Sequence, residues 1–179
     1  MPSRRAFLFL ILLPACTRQP AWRSLPLQRP NPHGEDPAQD PYFVWMSDPG
    51  ADAHILSGVA KGDGARWRRW TADQFSLVFK PLPGGPWRAR LRFEIHERFL
   101  NELGAFTIRL TVNGRLLATR TFSAAGDVEL AADVPPGLIQ PGKDVRIDVS
   151  SDSSDKAWVS SEDGARLSLR LIAAGFSRP

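Results

Sequence analysis

The sequence is almost free of cysteine, since Cys16 is the only one among its 179 residues. A single thiol cannot form an intramolecular disulfide, so the fold has to be held together by an apolar core. A chain of this length can bury such a core as one domain. After residue 15 there is also no apolar run long enough to cross a bilayer as a helix. These absences exclude a small disulfide-stapled scaffold and a polytopic helical membrane protein.

The motifs of common enzymes are absent as well. His33, His54 and His96 are isolated, and there is no Gly-x-Ser-x-Gly elbow, His-Glu-x-x-His helix or phosphate-binding glycine loop. Glu162 and Asp163 are neighbours in sequence, and in a strand such neighbours point to opposite faces. We therefore expect no catalytic residue, no enzymatic activity and no resident cofactor.

A strong charge imbalance is absent too. The whole chain carries 23 Lys and Arg against 19 Asp and Glu. Removal of residues 1–15 would take away Arg4 and Arg5 and leave 21 basic residues against 19 acidic ones. There is no lysine-rich run and no RNA-binding signature. We therefore expect no nucleic-acid partner.

The N-terminus, by contrast, has a recognisable organisation. Arg4 and Arg5 precede a short apolar run, which ends at Cys16. A basic pair, an apolar stretch too short to span a bilayer and a small residue before the cut make up a secretory signal peptide, here residues 1–15. The segment Leu13-Pro14-Ala15-Cys16 resembles the bacterial lipobox. This resemblance implies a lipoprotein in which Cys16 becomes the mature N-terminus and carries a covalent lipid, with palmitate among its acyl chains.

Two questions about this segment stay open. An ordinary signal cut near Ala15 would leave Cys16 as a free thiol, which is a liability in an oxidising compartment. The run Ser3-Arg4-Arg5-Ala6-Phe7-Leu8 also resembles a twin-arginine signal, so either the twin-arginine or the general secretory route can export the chain. Lipoprotein sorting implies that Thr17 directs the protein to the outer membrane of a host with two membranes. We expect a lipid-anchored protein of the cell envelope, facing the periplasm or the surface.

Residues 16–41 read as a proline-rich tether. Six prolines lie among polar residues without helical or strand periodicity: Pro20, Pro26, Pro30, Pro32, Pro37 and Pro41. Proline fixes φ and removes a backbone donor, so such a stretch favours polyproline II, which extends by about 3.1 Å per residue. The alternative is an arm that packs along the following domain through Trp22 and Leu25.

Residues 42–179 have the periodicity of β-strands. Within 87–95 every odd position is apolar and every even one charged, and the same alternation recurs at Phe75, Leu77 and Phe79 and at Leu167, Leu169 and Leu171. One-sided alternation is typical of antiparallel sheets that pack their apolar faces together. Val112-Asn113-Gly114-Arg115 predicts a type I′ hairpin, and residues 97–103 predict a short helix that ends at Gly104. We predict an all-β fold, an antiparallel two-sheet β-sandwich of the jelly-roll type with about eight strands.

A family resemblance follows from the order of these motifs. It consists of Leu56-Ser57-Gly58, Trp67-Arg68-Arg69-Trp70-Thr71, the long alternating strand, the Val112-Asn113-Gly114 hairpin and the terminal Ala173-Ala174-Gly175-Phe176. Residues 52–176 thereby resemble galactose-binding-like jelly-roll domains, which are similar to carbohydrate-binding modules. The resemblance implies a binding domain, but folds of this kind host many functions.

Two polar segments that contain tryptophan are the candidate binding site. Trp67, Arg68 and Trp70 lie in one of them, and Trp158 and Asp163 lie in the other. Indole faces stack on the C–H faces of sugar rings, and arginine forks bind hydroxyls or carboxylates. If both segments lie at one end of the sandwich, these residues can line one cleft. The alternative is that the tryptophans plug the open end of the core.

Two further features allow more than one interpretation. Arg88, Arg90 and Arg92 share the outward face of one predicted strand. Equivalent outward positions on other predicted strands hold Arg109, Arg146, Arg166 and Arg170. They predict either a basic stripe for anionic lipids and acidic polymers, or a face that Glu94, Glu129 and Asp148 neutralise. Residues 150–155 are rich in oxygen ligands without the pattern of an EF-hand, so we expect no metal and keep a structural calcium as the alternative.

Together these features predict a lipid-anchored, non-catalytic envelope lipoprotein whose β-sandwich binds a glycan or another envelope component. The alternative is an accessory lipoprotein that docks onto a secretion or polysaccharide-assembly complex through a sheet face. The expected partners are the membrane, through the lipid on Cys16, and a glycan or an envelope protein.

Overall fold

The computed structural model of this protein describes residues 42–60, 69–80, 82–152, 158–159 and 166–179. The predicted signal peptide 1–15, Cys16 and the rest of the predicted tether 16–41 lie outside these ranges. In the ranges that are described, no helix has the length and apolar composition needed to cross a membrane.

The described ranges contain eleven strands, one 3-10 helix and one α-helix. The strands are β1 (Phe43–Trp45), β2 (Ile55–Val59), β3 (Arg69–Phe79), β4 (Trp87–Ile95), β5 (Phe106–Val112), β6 (Arg115–Phe122), β7 (Gly126–Val134), β8 (Val145–Ser151), β9 (Trp158–Val159), β10 (Arg166–Leu167) and β11 (Arg170–Ser177). The 3-10 helix spans Ala51–His54, and α1 spans Glu97–Leu103. The helix predicted over 97–103 is therefore confirmed.

Nine of the strands form two layers, in which every pairing is antiparallel. The first sheet has the order β1-β11-β4-β7, and the second has the order β6-β5-β8-β3-β2. The two sheets join where the start of β3 pairs with the start of β11, through Arg69 with Leu171 and Trp70 with Arg170. The predicted all-β sandwich of two antiparallel sheets is confirmed.

The core lies between the two sheets and is built from the alternating apolar positions. In β4 the residues at odd positions are buried and those at even positions are not. In β5 and β8 the same alternation buries Ile108, Leu110 and Ile147 completely. Full burial of side chains of this size stabilises the folded state by roughly 1.5–3 kcal/mol each. The core contacts thus replace the disulfides that the sequence cannot form.

The strand count and two strand boundaries differ from the prediction of about eight strands. β3 begins at Arg69 rather than near Phe75, because its first residues pair with β11 and its later ones with β8. The predicted strand near 167–171 is interrupted at Ser168 and Leu169, whose backbones bond to Thr71 instead of continuing a ladder. Long-range pairing of this kind leaves no signal in the local alternation.

Candidate functional site

Trp70 is the one predicted site residue whose side chain the structure describes. It is the second residue of β3 and is half-buried. Among the described residues, the main hydrophobic cluster does not include it. Its ring instead faces the guanidinium of Arg170, whose Cζ lies 5.6 Å from the ring centroid. The alternative that the tryptophans plug the open end of the core stays a prediction, since the side chains of Trp67 and Trp158 lie outside the described residues.

The arginine that faces Trp70 is held by an acid on the next strand. Arg170 Nη1 lies 2.8 Å from Glu94 Oε2, and the register pairs Arg170 with both Trp70 and Glu94. Aromatic ring, guanidinium and carboxylate thus form one row across β3, β11 and β4. A guanidinium over an indole contributes about 0.5–1 kcal/mol when it is exposed and more when it is desolvated. The row fixes the orientation of the indole on the outer surface of the sandwich.

Helix α1 forms the other side of this surface. Trp70, His96, Arg98, Phe99 and Glu102 line a depression with a free volume of about 10 Å³, which is room for a single water molecule. His96 caps the helix, since its Nδ1 accepts the backbone N–H of Arg98 at 3.2 Å. Arg98 Nε donates to Glu102 Oε1 at 2.8 Å, and Phe99 packs edge-on against Phe106. The depression alone is too small for a sugar ring.

Described residues that flank the two tryptophan-bearing segments lie close together. Residues 61–68 precede β3 directly, while the backbone of Trp158 lies in β9, paired with Leu167 of β10. β10 contacts β3, and Ser168 N–H donates to Thr71 O at 2.7 Å. Trp67, Arg68 and Asp163 lie outside the described residues, so their predicted roles stay predictions.

The arginines of the predicted basic stripe are divided between the two sheets, and several of them are paired with acids, as the alternative of a neutralised face predicts. Arg88, Arg90 and Arg170 lie on the first sheet, while Arg109 and Arg146 lie on the second. Each of three acids that the sequence suggested as partners contacts an arginine: Glu94 contacts Arg170, Glu129 contacts Arg90 through two bonds of 3.0 Å, and Asp148 contacts Arg146 at 2.7 Å. Arg88 and Asp133 form a further pair at 3.4 Å.

A second aromatic cluster on the outer face of the first sheet is a feature that the sequence analysis missed. Phe43 and Trp45 of β1 pack with Ile172 and Ala173 of β11. The guanidinium of Arg90 lies 4.8 Å from the Phe43 ring, and that of Arg92 lies 5.3 Å from the Trp45 ring. The small residues of β11 between β1 and β4 let these side chains meet, and the run Ala173-Ala174-Gly175 was the available signal. Both rings are only 6% exposed, so they offer no stacking platform.

The part of the chain that the structure describes holds no group of three or more His, Cys, Asp or Glu side chains placed to bind a metal. Residues 150–155 are the segment for which a structural calcium was the alternative. In it, Ser151 Oγ is hydrogen-bonded to Ser168 Oγ at 2.9 Å. Asp152 Oδ1 accepts the Thr107 N–H at 2.6 Å, and residues 153–155 lie outside the described ranges. These two side chains therefore have structural roles. His54 has one as well, since its Nδ1 lies 2.9 Å from Val78 O and its ring packs against Phe79.

Several solved structures are similar to this chain at low sequence identity. No family model and no curated protein matches the sequence. Among solved structures, a family 35 carbohydrate binding module from an environmental isolate is similar with a TM-score of 0.46 and 11% identity, over 77% of this chain and 97% of that one. The CBM36-1 domain of a multidomain xylanase from the hindgut metagenome of Trinervitermes trinervoides has a TM-score of 0.44 and 11% identity, over 76% and 96%. A CBM36 module in complex with calcium and xylotriose has a TM-score of 0.39 and 11% identity, over 75% and 98%.

Proposed function

We propose that this protein is a lipid-anchored, non-catalytic envelope protein whose β-sandwich binds a glycan at the end where β3 begins. The observation that carries the proposal is the setting of Trp70. Its indole is half-buried outside the core, fixed by Arg170 and flanked by His96, Arg98 and Glu102. An aromatic ring with charged hydrogen-bonding groups around it is the usual composition of a surface that binds sugar rings.

The remaining binding groups in this proposal come from the segments next to Trp70. Trp67 and Arg68 precede it by three and two residues, and Trp158 and Asp163 belong to the segment around β9 and β10. The depression at Trp70 has room for one water only, so a glycan would need these additional residues to bury a sugar ring. Stacking on a second indole would supply the apolar contact, while Arg68 and Asp163 would bind hydroxyl groups.

Binding to immobilised cell-wall and surface polysaccharides tests this function. The full chain should bind at least one polysaccharide, and Trp70→Ala and Trp158→Ala should each weaken binding by about tenfold or more, as expected for loss of about 1.4 kcal/mol. Trp87→Phe is the matched control, because Trp87 is 5% exposed, packs in the core and has an indole that donates to Pro83 O. Absence of binding to every polysaccharide, or equal binding by folded Trp70→Ala and Trp158→Ala variants, would refute the proposal.

The anchor in this proposal is a diacylglyceryl group on Cys16. Two or three acyl chains, at about 0.8 kcal/mol per buried methylene, hold a protein on a membrane where one chain does so only marginally. The intact mass of the mature protein should include the lipid and start at Cys16, and the protein should fractionate with membranes. Cys16→Ser should abolish both. A mature mass that matches unmodified protein cut after Ala15 would show ordinary signal cleavage instead.

Crosslinking in intact cells separates glycan binding from the alternative of docking onto an envelope complex through a sheet face. A stoichiometric protein partner that is retained by Trp70→Ala would favour docking. The paired charges on the first sheet, such as Arg90 with Glu129, do not favour that face as an electrostatic contact surface.

A further inference from the structure

A polar groove lies away from Trp70, where the β5–β6 hairpin meets the loop that joins β7 to β8. It has a volume of about 350 Å³ and is lined by Asn113, Gly137, Leu138, Gln140, Lys143 and Asp144. This volume is within the lower part of the range of small-molecule sites. We call it the Asn113 groove.

The walls of the Asn113 groove are held in place before any ligand arrives. Asn113 is in the left-handed region, with a φ of 47°, as its turn requires. Its amide Nδ2 donates to Leu138 O at 3.0 Å, while its Oδ1 accepts the Arg146 N–H at 2.9 Å. One side chain therefore bonds the loop to the hairpin and to β8. Preorganised walls reduce the entropy that a ligand loses on binding.

The loop itself has few ways to move. Leu138 and Ile139 pack against the main core, and the loop also contains Pro135, Pro136 and Pro141. Leu138 N–H bonds to Pro135 O, and Lys143 N–H bonds to Gln140 O, both at 3.2 Å. The apolar side chains of the loop thus pack on the core, and several of its backbone groups are hydrogen-bonded within the loop. Its polar side chains are left to face water.

Three side chains of the groove offer both donors and acceptors. In the part of the chain that the structure describes, Gln140, Lys143 and Asp144 make no side-chain hydrogen bond or ion pair, and all three are exposed. This contrasts with Arg88, Arg90, Arg146 and Arg170, each of which is paired with an acid. An ammonium, a carboxylate and an amide together match a row of hydroxyl groups, each of which donates and accepts.

The charges of the groove give no net attraction for ions. Lys143 and Asp144 are adjacent and opposite in charge, so the attraction that an ion has for one of them is offset by repulsion from the other. We propose that the Asn113 groove is a second binding site, which takes a neutral polyhydroxylated ligand of the size of one sugar unit. This site shares no residue with the site proposed at Trp70, so the two proposals can be tested independently.

Saturation-transfer NMR on the full chain tests the proposal, with glucose, galactose and xylose as neutral probes, glucuronate as the anion and glucosamine as the cation. At least one neutral sugar should receive saturation. Its affinity should fall by about tenfold or more in Lys143→Ala and in Asp144→Asn, since each substitution removes a charged hydrogen-bonding group from the groove. Lys80→Ala is the matched control, because it removes another exposed lysine, one that does not line the groove.

The outcomes separate this site from the one at Trp70. A signal that survives in Trp70→Ala and Lys80→Ala but is lost in Lys143→Ala and Asp144→Asn supports the Asn113 groove, even if no polysaccharide binds at Trp70. The proposal is overturned if no neutral sugar receives saturation, if the groove variants bind as the parent does, or if glucuronate or glucosamine binds more tightly than every neutral probe.

Discussion

At the scale of single residues, Gly175 determines how closely two strands approach. Its φ is 149°, and a Cβ at this position would lie 2.0 Å from Tyr42 O and 2.8 Å from Phe43 Cα. Tyr42 O accepts the Phe176 N–H at 2.8 Å, and Phe43 pairs with Gly175. The backbone of β1 therefore occupies the space that any side chain at residue 175 would need.

We predict that Gly175→Ala lowers the free energy of unfolding by on the order of 3 kcal/mol, because β1 has to move away or β11 has to bend. Denaturant titration followed by tryptophan fluorescence measures the change. Gly50→Ala is the control, since its φ is −85° and a Cβ there would have no atom within 4 Å. The steric argument fails if the two variants have the same stability.

Arg69 and Asp52 form an ion pair whose members differ in exposure. Arg69 is 7% exposed and donates through Nε to Met46 O at 2.9 Å, while its Nη1 bonds to Asp52, which is 57% exposed. Removal of the acid leaves a buried charge without its counter-charge, whereas removal of the arginine leaves a carboxylate that water can solvate. The two members of the pair are therefore not equivalent.

From this asymmetry we predict that Asp52→Ala costs about 3 kcal/mol of folding free energy, while Arg69→Met costs about 1–2 kcal/mol through the lost bond to Met46. Equilibrium unfolding of both variants in the same buffer compares them. The order of the two losses is the critical result. A larger loss for Arg69→Met would mean that the Met46 bond, rather than the buried charge, dominates at this site.

At the scale of elements, the junction of β3 with β10 and β11 depends on Thr71. This residue is fully buried, and its N–H donates to Leu169 O at 2.8 Å. Its own O accepts the Ser168 N–H, and its Oγ1 accepts the Leu169 N–H at 3.3 Å. Thr71 thus bonds to both residues that interrupt the predicted strand near 167–171.

We predict that Thr71→Val lowers the free energy of unfolding by about 1–3 kcal/mol, because the buried Leu169 N–H loses its acceptor while the shape of the side chain is kept. Thermal and denaturant unfolding measure the loss. Thr121→Val serves as the matched control: Thr121 is exposed, and its Oγ1 bonds only to the Thr107 hydroxyl among the contacts described. Its cost should stay within about 0.5 kcal/mol. Equal losses of stability in the two variants would contradict the prediction, because they would show that the buried bond to Leu169 has no special effect.

Elements with local signals were predicted from the sequence, and those made by distant pairing were not. The alternation of β4, the Asn113-Gly114 turn and helix α1 follow from neighbouring residues alone. The start of β3 and the break before β11 depend on contacts between residues about a hundred positions apart, such as Thr71 with Leu169.

The candidate site was predictable to a similar extent. Extension of the alternation from Phe75 back to Arg69 would have placed Trp70 on the outer face, opposite the core. The row of Trp70, Arg170 and Glu94 could not be foreseen, because it requires the order of β3, β11 and β4 in space. The Asn113 groove needed the same kind of information, since its two walls come from the hairpin and from the loop before β8.

At the scale of the whole molecule, the two sheets share one core and one continuous path of paired strands. β3 and β11 link the sheets on one side, and β6 and β7 contact each other on the other side, where Arg120 donates to Glu129 O. Fully buried residues of both sheets, such as Leu91 of β4 and Leu110 of β5, belong to one hydrophobic cluster. The two sheets therefore share the main core, and separation of the sheets would expose it.

We predict that the two sheets unfold as one cooperative unit. In the full chain carrying Cys16→Ser, which cannot be lipidated, the backbone amides of Leu91 and Leu110 should exchange hydrogen with the same opening free energy, equal to that of global unfolding. A markedly lower opening free energy for one of the two amides would show that its sheet opens separately. The Arg69–Leu171 and Trp70–Arg170 pairing would then be a hinge between two folding units. The orientation of Trp70 in its row with Arg170 and Glu94 would depend on the angle of that hinge.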